Sequence, residues 1–384
     1  MSQASGAVER SVPMVEAPVP DSVRPPPTLR DFVINGRFLT QPTTGVQRYA
    51  REVTRSLGQL LQPENEGVAL LTPHHEAPDP DYRSVHVRRV GPGNGHLWEQ
   101  FVLPFRSGLP ILNLCNTAPV FGGAQVVCIH DANVFTQPES YSPAFRHFYR
   151  ALQPWIVRKA TRIATVSQDS AAQIARHLPI SLTQVTILPN GYEHALRWNA
   201  GASKLLDRHK LTRPYILMLG SRAPHKNLGL VTSLAGALDL LDLDIVIAGE
   251  AGAIFAQTPA ATAANIVWLG GVSDDDLALL MSRALCLAFP SLTEGFGLPV
   301  VEAMARGCPV VSSDRASLPE ICGGAALMAS PLDAGQWYGH FKRLLGSEGL
   351  QSELAARGRE QARKFSWRSS AAGYLDLLSR GVTA

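Results

Sequence analysis

The sequence is poor in the features that mark membrane, secreted and nucleic-acid-binding chains. No apolar run reaches the roughly 18 residues that a membrane-spanning helix needs. The first thirty residues hold six prolines and no apolar core, so they read as a flexible tail and not as a signal peptide. Cysteines number five, Cys115, Cys128, Cys286, Cys308 and Cys322, and none stands in a Cys-x-x-Cys pair or at Cys/His ligand spacing. That excludes a disulfide frame and a zinc site of the common kinds. Cys128 and Cys286 lie in the apolar runs VVCI and LCLAF, the setting of a reduced, buried thiol, and a cytoplasmic location is expected. The net charge is only +3, and no dense Lys/Arg stripe with a reading motif appears, so no nucleic-acid partner is expected. No Asp-x-Asp pair sits at a plausible strand end. Asp274, Asp275 and Asp276 open a helix and read as cap and dipole residues, so neither a metal nor a cofactor is expected.

What is present is an alternation of short apolar strands and amphipathic helices, repeated twice. At 384 residues with 45% hydrophobic content, the chain is long enough for two cored domains. DFVING reads as a strand, and TTGVQRYAREVTRSLGQLL as a helix with Val46, Tyr49, Val53 and Leu57 on one face. GVALLT, SVHVRRV, LPILNL, QVVCIHD, RIATVS and QVTIL continue the strands. The segment from Ser142 to Ala160 is helical, with Phe145, Phe148, Leu152 and Ile156 at helical spacing, and Ser167 is placed to cap the next helix. A polar stretch follows over 196–213. YILMLG then opens a second array with DIVIAGE, NIVWLG, CLAFPS and PVVSSD. These patterns predict an α/β chain: a tail (1–30), a first Rossmann-like domain (31–195), a linker (196–213), a second such domain (214–365), and a C-terminal helix (366–384) packing back on the first domain. Ligands of such sheets bind at the carboxyl ends of the strands.

Two loops after strands of the second array carry the chemistry. In CLAFPSLTEGFGLPVVEAMARG, a strand ends near Pro290 and is followed by Glu294, Gly295, Phe296, Gly297 and Leu298. Pro299 then occupies the first helical position and Gly307 stops the helix. Glycines admit a ligand close to the backbone, and a helix N-terminus offers unpaired N–H groups to phosphate oxygens. Glu302, read as a first-turn residue, suits either the helix dipole or ribose hydroxyls. The second loop is LMLGSRAPHKN, where Arg222 and Lys226 are placed to aim at one anion. Fixed cations there would stabilise a departing diphosphate without a metal. GFGLPV also approximates a dinucleotide fingerprint, with Asp314 ending the next strand. However, Val300 replaces the third small residue and Pro299 interrupts the loop.

GSRAPHKN, EGFGLPVVEAMARGCPVV and SLPEICGGAAL together resemble the C-terminal signature of family-four retaining glycosyltransferases, with its paired glutamates eight positions apart. The resemblance runs from about residue 31 to 380. It implies a GT-B fold, two Rossmann-like domains facing a central cleft. It further implies that Arg222 and Lys226 hold the donor diphosphate and that Glu294 faces the transferred sugar. Gly295, Phe296, Gly297 and Leu298 would contact sugar and phosphate, Glu302 would hold the ribose, and Gly45 would approach the diphosphate from the first domain. His130 would sit near donor sugar and acceptor with Asp131 beside it, and Asn190-Gly191 would end the first domain. One departure is His225, where the family carries an acid in its RxxxEKN pattern. The implied partners are a nucleotide-sugar donor, with GDP-mannose favoured, and a glycan or polyprenyl-diphosphate-linked glycan acceptor of polysaccharide assembly. The cations and aromatics of the helix around Arg146, His147, Tyr149, Arg150, Trp155, Arg158, Lys159 and Arg162 add an expected peripheral contact with an anionic membrane surface. The rival expectations are a dinucleotide-dependent oxidoreductase, a pyridoxal-dependent phosphorylase and a catalytically silent subunit of the same fold.

Overall fold

The computed structural model describes residues 31–62, 67–75, 80–209, 211–249 and 262–380. The 1–30 tail and the last four residues lie outside the described residues.

The first domain is a seven-stranded parallel sheet. Its strands are β1 (Phe32–Asn35), β2 (Val68–Thr72), β3 (His86–Arg89), β4 (Ile111–Asn113), β5 (Gln125–Cys128), β6 (Arg162–Thr165) and β7 (Val185–Ile187), in the order β3-β2-β1-β4-β5-β6-β7. β1 is central, pairing Val33 with Ala69 on one side and with Ile111 on the other. Strands covered on both faces need continuous apolar runs, which is why FVIN and VALLT are buried throughout. Ile34, Leu70 and Leu112 face the Gly45–Leu60 helix, while Val33, Leu71 and Ile111 face Trp98 and Leu103 on the other side.

The second domain is a six-stranded parallel sheet. Its strands are β8 (Tyr215–Leu219), β9 (Asp244–Ala248), β10 (Ile266–Gly270), β11 (Cys286–Phe289), β12 (Val310–Ser313) and β13 (Leu327–Ala329), in the order β10-β9-β8-β11-β12-β13. In both sheets the order reverses beside the first strand, and the loop after β11 meets the chain just past β5 and β6. Cys128, Cys286, Cys308 and Cys322 are buried free thiols, and Cys115 is half-buried.

Residues 188–205 and the Trp367–Arg380 helix join the domains. The helix lies against Gly45–Leu60, and the Tyr49 and Tyr374 hydroxyls meet at 2.9 Å. Ser370 Oγ donates to the Pro189 carbonyl at 2.5 Å, and the Ser366 hydroxyl donates to Glu193 at 2.6 Å. Trp198, Leu205 and Trp367 carry one apolar core from Ile34 in the first sheet to Leu217 and Met304 in the second.

The polar 196–213 stretch between the two sheets carries short helical turns of its own, at Ala200–Ala202 and Leu205–Arg208. Trp198 and Leu205 are buried, and the Asn199 N–H donates to Asp275 at 2.7 Å. After Asn227 the chain forms two short helices, Leu228–Thr232 and Ala235–Asp239. In Pro143–Lys159 the buried side chains are Tyr149, Leu152, Gln153, Ile156 and Val157, while Phe148 is exposed. Leu152 and Ile156 are buried as expected, but Tyr149 takes the place of Phe148 and stacks on Phe145 at 4.1 Å.

Candidate functional site

The first chemical element is the turn after β8. Gly220 has φ 143°, and Pro224–Lys226 form one 3-10 turn closed by Asn227 at φ 53°. Asn227 locks the turn across the sheet, its amide donating to the Pro290 carbonyl at 3.1 Å and to the Pro331 carbonyl at 2.9 Å. The Lys226 stem runs beside Gly220, its ammonium lies 5.5 Å from the centre of the Phe289 ring, and it donates to Glu294 Oε1 at 2.7 Å. Histidine at position 225, where the resembling family has an acid, leaves this turn formed. Its ring is buried in parallel with Tyr141 at 6.2 Å, and its carbonyl accepts the Leu292 N–H at 2.8 Å. Arg222 is half-buried on the same loop.

The second element is the loop after β11. Ser317 Oγ lies within bonding distance of two of its carbonyls, Glu294 at 3.1 Å and Phe296 at 3.0 Å. Gly297 has φ 95°, which a side chain would strain, and an added Cβ would stand 2.7 Å from Leu318. The helix here is Leu298–Ala305. Leu298 takes the first helical position and Pro299 the second, one residue later than expected. Glu302 accordingly falls in the second turn, not the first, and is too deep for the helix dipole to explain it.

Glu302 is instead fixed by side chains. His194 Nε2 donates to its Oε1 at 2.8 Å, and the Trp367 indole N–H donates to His194 Nδ1 at 3.0 Å. The indole can only donate, so the Nε2–H tautomer of His194 is set by Trp367. Arg48, one turn into Gly45–Leu60, lies 3.9 Å from the same carboxylate while its guanidinium forks onto Asp274 at 3.0 and 2.5 Å. Gly45 itself stands exposed at that helix's N-terminus, with open space where a Cβ would point. The acids Asp274, Asp275 and Asp276 do more than cap. Ser273 and Asp276 form the capping box, Asp274 holds Arg48, and Asp275 takes the Asn199 N–H.

The first domain presents the end of β5. The His130 N–H donates to Asn116 Oδ1 at 2.6 Å, and its ring Nε2–H donates to the Leu114 carbonyl at 2.9 Å. Tyr49 meets the ring edge-on at 4.7 Å. Burial pushes the imidazole down to about 4, so it is neutral at physiological pH and keeps a lone pair on Nδ1. Asp131 accepts the Asn133 N–H at 2.9 Å. Burial, with Glu294 adding, raises its carboxyl to about 6 against the pull of Asn133 and Lys226. Glu294 behaves oppositely. Burial alone would raise it, but the Lys226 and His225 charges and bonds from Lys226 and Ser291 hold it below the usual carboxylate range.

The two halves are in contact. A Cβ on Gly295 would stand 2.6 Å from the His130 carbonyl oxygen. Ser167 Oγ and Ser170 Oγ donate to the Gly295 carbonyl at 2.6 and 2.9 Å, and the Gln168 N–H donates to the Glu320 carboxylate at 3.0 Å. The expected cap Ser167 is thus also a clasp between domains. His130, Asp131, Lys226, Glu294 and Gly295 therefore share one site, and Glu302 sits one helical turn deeper. His194, Trp367 and Arg48 were not among the expected residues. Each reaches the site from a distant part of the chain, His194 from 108 positions away, and none stands in a motif.

Residues 207–365 match the family described as Glycosyl transferases group 1. Over 258 residues it is 33% identical to O-antigen chain mannosyltransferase B of Escherichia coli, a match covering 63% of this chain and 66% of that one. It is 30% identical over 267 residues to the serotype-specific mannosyltransferase WbdA of Escherichia coli, covering 64% of this chain and 32% of the relative. The chain thus spans just under two thirds of the first relative and about a third of the second. Among solved structures it is similar to WaaG, a glycosyltransferase involved in lipopolysaccharide biosynthesis. That similarity has a TM-score of 0.64 at 17% identity, over 89% of this chain and 98% of that one. The fold is GT-B.

Proposed function

We propose that this chain transfers a hexose, with GDP-mannose as the favoured donor, to a glycan or lipid-linked glycan acceptor, with retention at the anomeric carbon. What carries the reading is the half-buried Lys226–Glu294 pair, held at 2.7 Å on the edge of the cleft opposite His130 and Asp131. Two mannosyltransferases among the similar proteins support the choice of sugar.

In this reading Lys226, Arg222 and the N–H groups opening Leu298–Ala305 receive the donor diphosphate, and Glu302 takes the ribose hydroxyls. Gly45 approaches the diphosphate from the other domain, and Phe296, Gly297 and Leu298 line sugar and phosphate. The acceptor hydroxyl attacks the anomeric carbon from the face the diphosphate leaves. The bond from that carbon to the phosphate oxygen breaks as the new C–O bond forms, and the hydroxyl proton passes to the departing phosphate. Lys226 and Arg222 stabilise the charge that grows on the leaving group. Neutral His130 offers its Nδ1 lone pair to a sugar or acceptor hydroxyl, and Asp131 orients the acceptor. Contact between the Gly295 loop and the His130 strand end excludes water, which limits hydrolysis.

The test is the stereochemistry of the product. Purified protein is incubated with GDP-mannose and an oligomannoside acceptor, and the new anomeric proton is followed by NMR. An α-linked product from the α-configured donor is expected, with transfer persisting in EDTA. A β-linked product would contradict retention, and no product from any nucleotide sugar would contradict the reaction.

A further inference from the structure

A row of aromatic rings runs along the first domain from the reacting centre outward. Tyr141 is its inner end. Burial, with the charges of Asp131 and Glu294 adding, pushes the Tyr141 hydroxyl well above its ordinary value, so the phenol stands beside both acids. The Tyr141 ring lies nearly parallel to His225 of the second domain at 6.2 Å and to Phe145 at 5.4 Å. Phe145 stacks on Tyr149 at 4.1 Å, Phe148 stands edge-on to Tyr149 at 5.5 Å, and His96 packs on Phe148 at 4.6 Å. His96 opens the Gly95–Phe101 helix after β3, and the other first-domain rings lie at or before the second turn of the Pro143–Lys159 helix after β5. The row therefore follows the carboxyl ends of the strands, where ligands of such sheets bind.

Core packing does not account for these rings. Among the described residues, Tyr141, Phe145, Phe148 and Tyr149 join no hydrophobic core of either domain, and their helix enters its own core with Leu152, Ile156 and Val157. Tyr149 is buried and Tyr141 and Phe145 are half-buried, while Phe148 is 39% and the His96 side chain 35% exposed. Beneath the outer rings lies a buried polar cluster. Glu99 accepts from Asn35 Nδ2 at 2.7 Å and from Arg37 Nε and His96 Nδ1 at 3.2 Å, and Arg37 Nη2 donates to Thr117 at 2.9 Å. Burial alone would raise Glu99, but His96, Arg37 and Asn35 hold it below the usual carboxylate range. An ionised carboxylate only accepts, so His96 carries its proton on Nδ1 and keeps Nε2 for a partner from outside. Because Glu99 neutralises Arg37, the row suits uncharged sugars over a phosphate. A pyranose has C–H groups on one face and hydroxyls at its rim. The C–H face fits the negative face of an aromatic ring, and the hydroxyls fit an imidazole nitrogen.

We propose that this row is a subsite for the internal sugars of a neutral oligosaccharide acceptor, which stack on Tyr141, Phe145 and Phe148 and bond to His96 while the terminal sugar reaches Asp131. The subsite rests on the transfer reading above and deepens it, because a single reacting sugar needs only the His130–Asp131 end. The acceptor is then an extended chain of sugars, and its length sets how tightly it binds.

The experiment is calorimetric titration of the full chain with methyl mannoside and with α-linked mannotriose, each in the presence of GDP, alongside a transfer assay from nucleotide sugars on the same preparations. The trisaccharide should bind about tenfold or more tighter than the single sugar, because further sugars find rings to stack on. Phe145→Ala and Phe148→Ala should each weaken trisaccharide binding by about fivefold or more. Phe148→Tyr, which keeps a ring, should restore the preference for the longer glycan, and Leu240→Ser, at an exposed leucine of the second domain, should keep it. Equal binding of the two glycosides, no binding of the trisaccharide, or trisaccharide binding indifferent to both alanine substitutions would overturn the subsite, and continued transfer in the same preparations would leave the reaction standing. Ring-dependent trisaccharide binding without transfer from any nucleotide sugar would support the subsite and overturn the reaction.

Discussion

Asp131 and Glu294 are neighbouring carboxyls pushed in opposite directions. Burial raises Asp131 from 3.8 to about 6, whereas Lys226 and His225 outweigh burial at Glu294 and lower it. Because the folded state holds the Asp131 proton more tightly than the unfolded chain, stability from this group falls as pH rises from about 4 to about 6. Asp131→Asn keeps the acceptor for the Asn133 N–H and removes the buried charge. Its urea midpoint should exceed that of wild type near neutral pH, and the difference should vanish toward pH 4. A gain of equal size at both pH values would contradict the shift. At the Lys226–Glu294 pair the roles reverse. Lys226→Ala leaves a half-buried carboxylate without its cation and removes the charge facing the diphosphate. Turnover should fall by on the order of a hundred- to a thousandfold in a transfer assay.

At the scale of elements, the decisive contact is between the loop after β11 and the strand end of β5. Gly295→Ala sets a methyl against the His130 carbonyl, so the loop must lift. Misplacement of this kind should cost on the order of a hundredfold in rate with the fold intact, read as lost turnover at an unchanged circular-dichroism spectrum. Ser167→Ala removes both a helix cap and a hydroxyl on the Gly295 carbonyl, and a loss of about 1 kcal/mol in denaturant unfolding is expected. The strands and most of these loops were legible in the sequence, because buried parallel strands need unbroken apolar runs and the turns need glycine at positive φ, as at Gly297. The Pro143–Lys159 face was misjudged by one residue, since an exposed Phe148 and a buried Tyr149 satisfy helical spacing equally well. Pro299 and Glu302 slipped because Leu298 already has helical backbone, and proline is tolerated at either of the first two positions. The two sheets of alternating strands and helices followed from the alternation, whereas their strand order comes from the structure. The relay from Trp367 through His194 to Glu302 did not. It depends on how the last helix folds back, and nothing in a local pattern reports a contact between residues 173 positions apart.

Across the whole molecule, the Trp367–Arg380 helix fastens the two domains and also sets the tautomer that presents a proton to Glu302. Trp367→Ala should cost about 3–5 kcal/mol of stability. His194→Gln keeps a donor of different reach and should weaken nucleotide binding more than it lowers the unfolding midpoint. Equal effects on both would mean that His194 is only a packing residue. The central claim is that the loops after β8 and β11 form a nucleoside-diphosphate site around Lys226 and Glu302. The most direct test is calorimetric titration of wild type, Lys226→Ala and Glu302→Ala with GDP, UDP and NAD. Binding of one nucleoside diphosphate by wild type, lost or weakened at least about tenfold in both variants, is the predicted result. Binding of NAD in place of either diphosphate, or diphosphate binding indifferent to both substitutions, would contradict it.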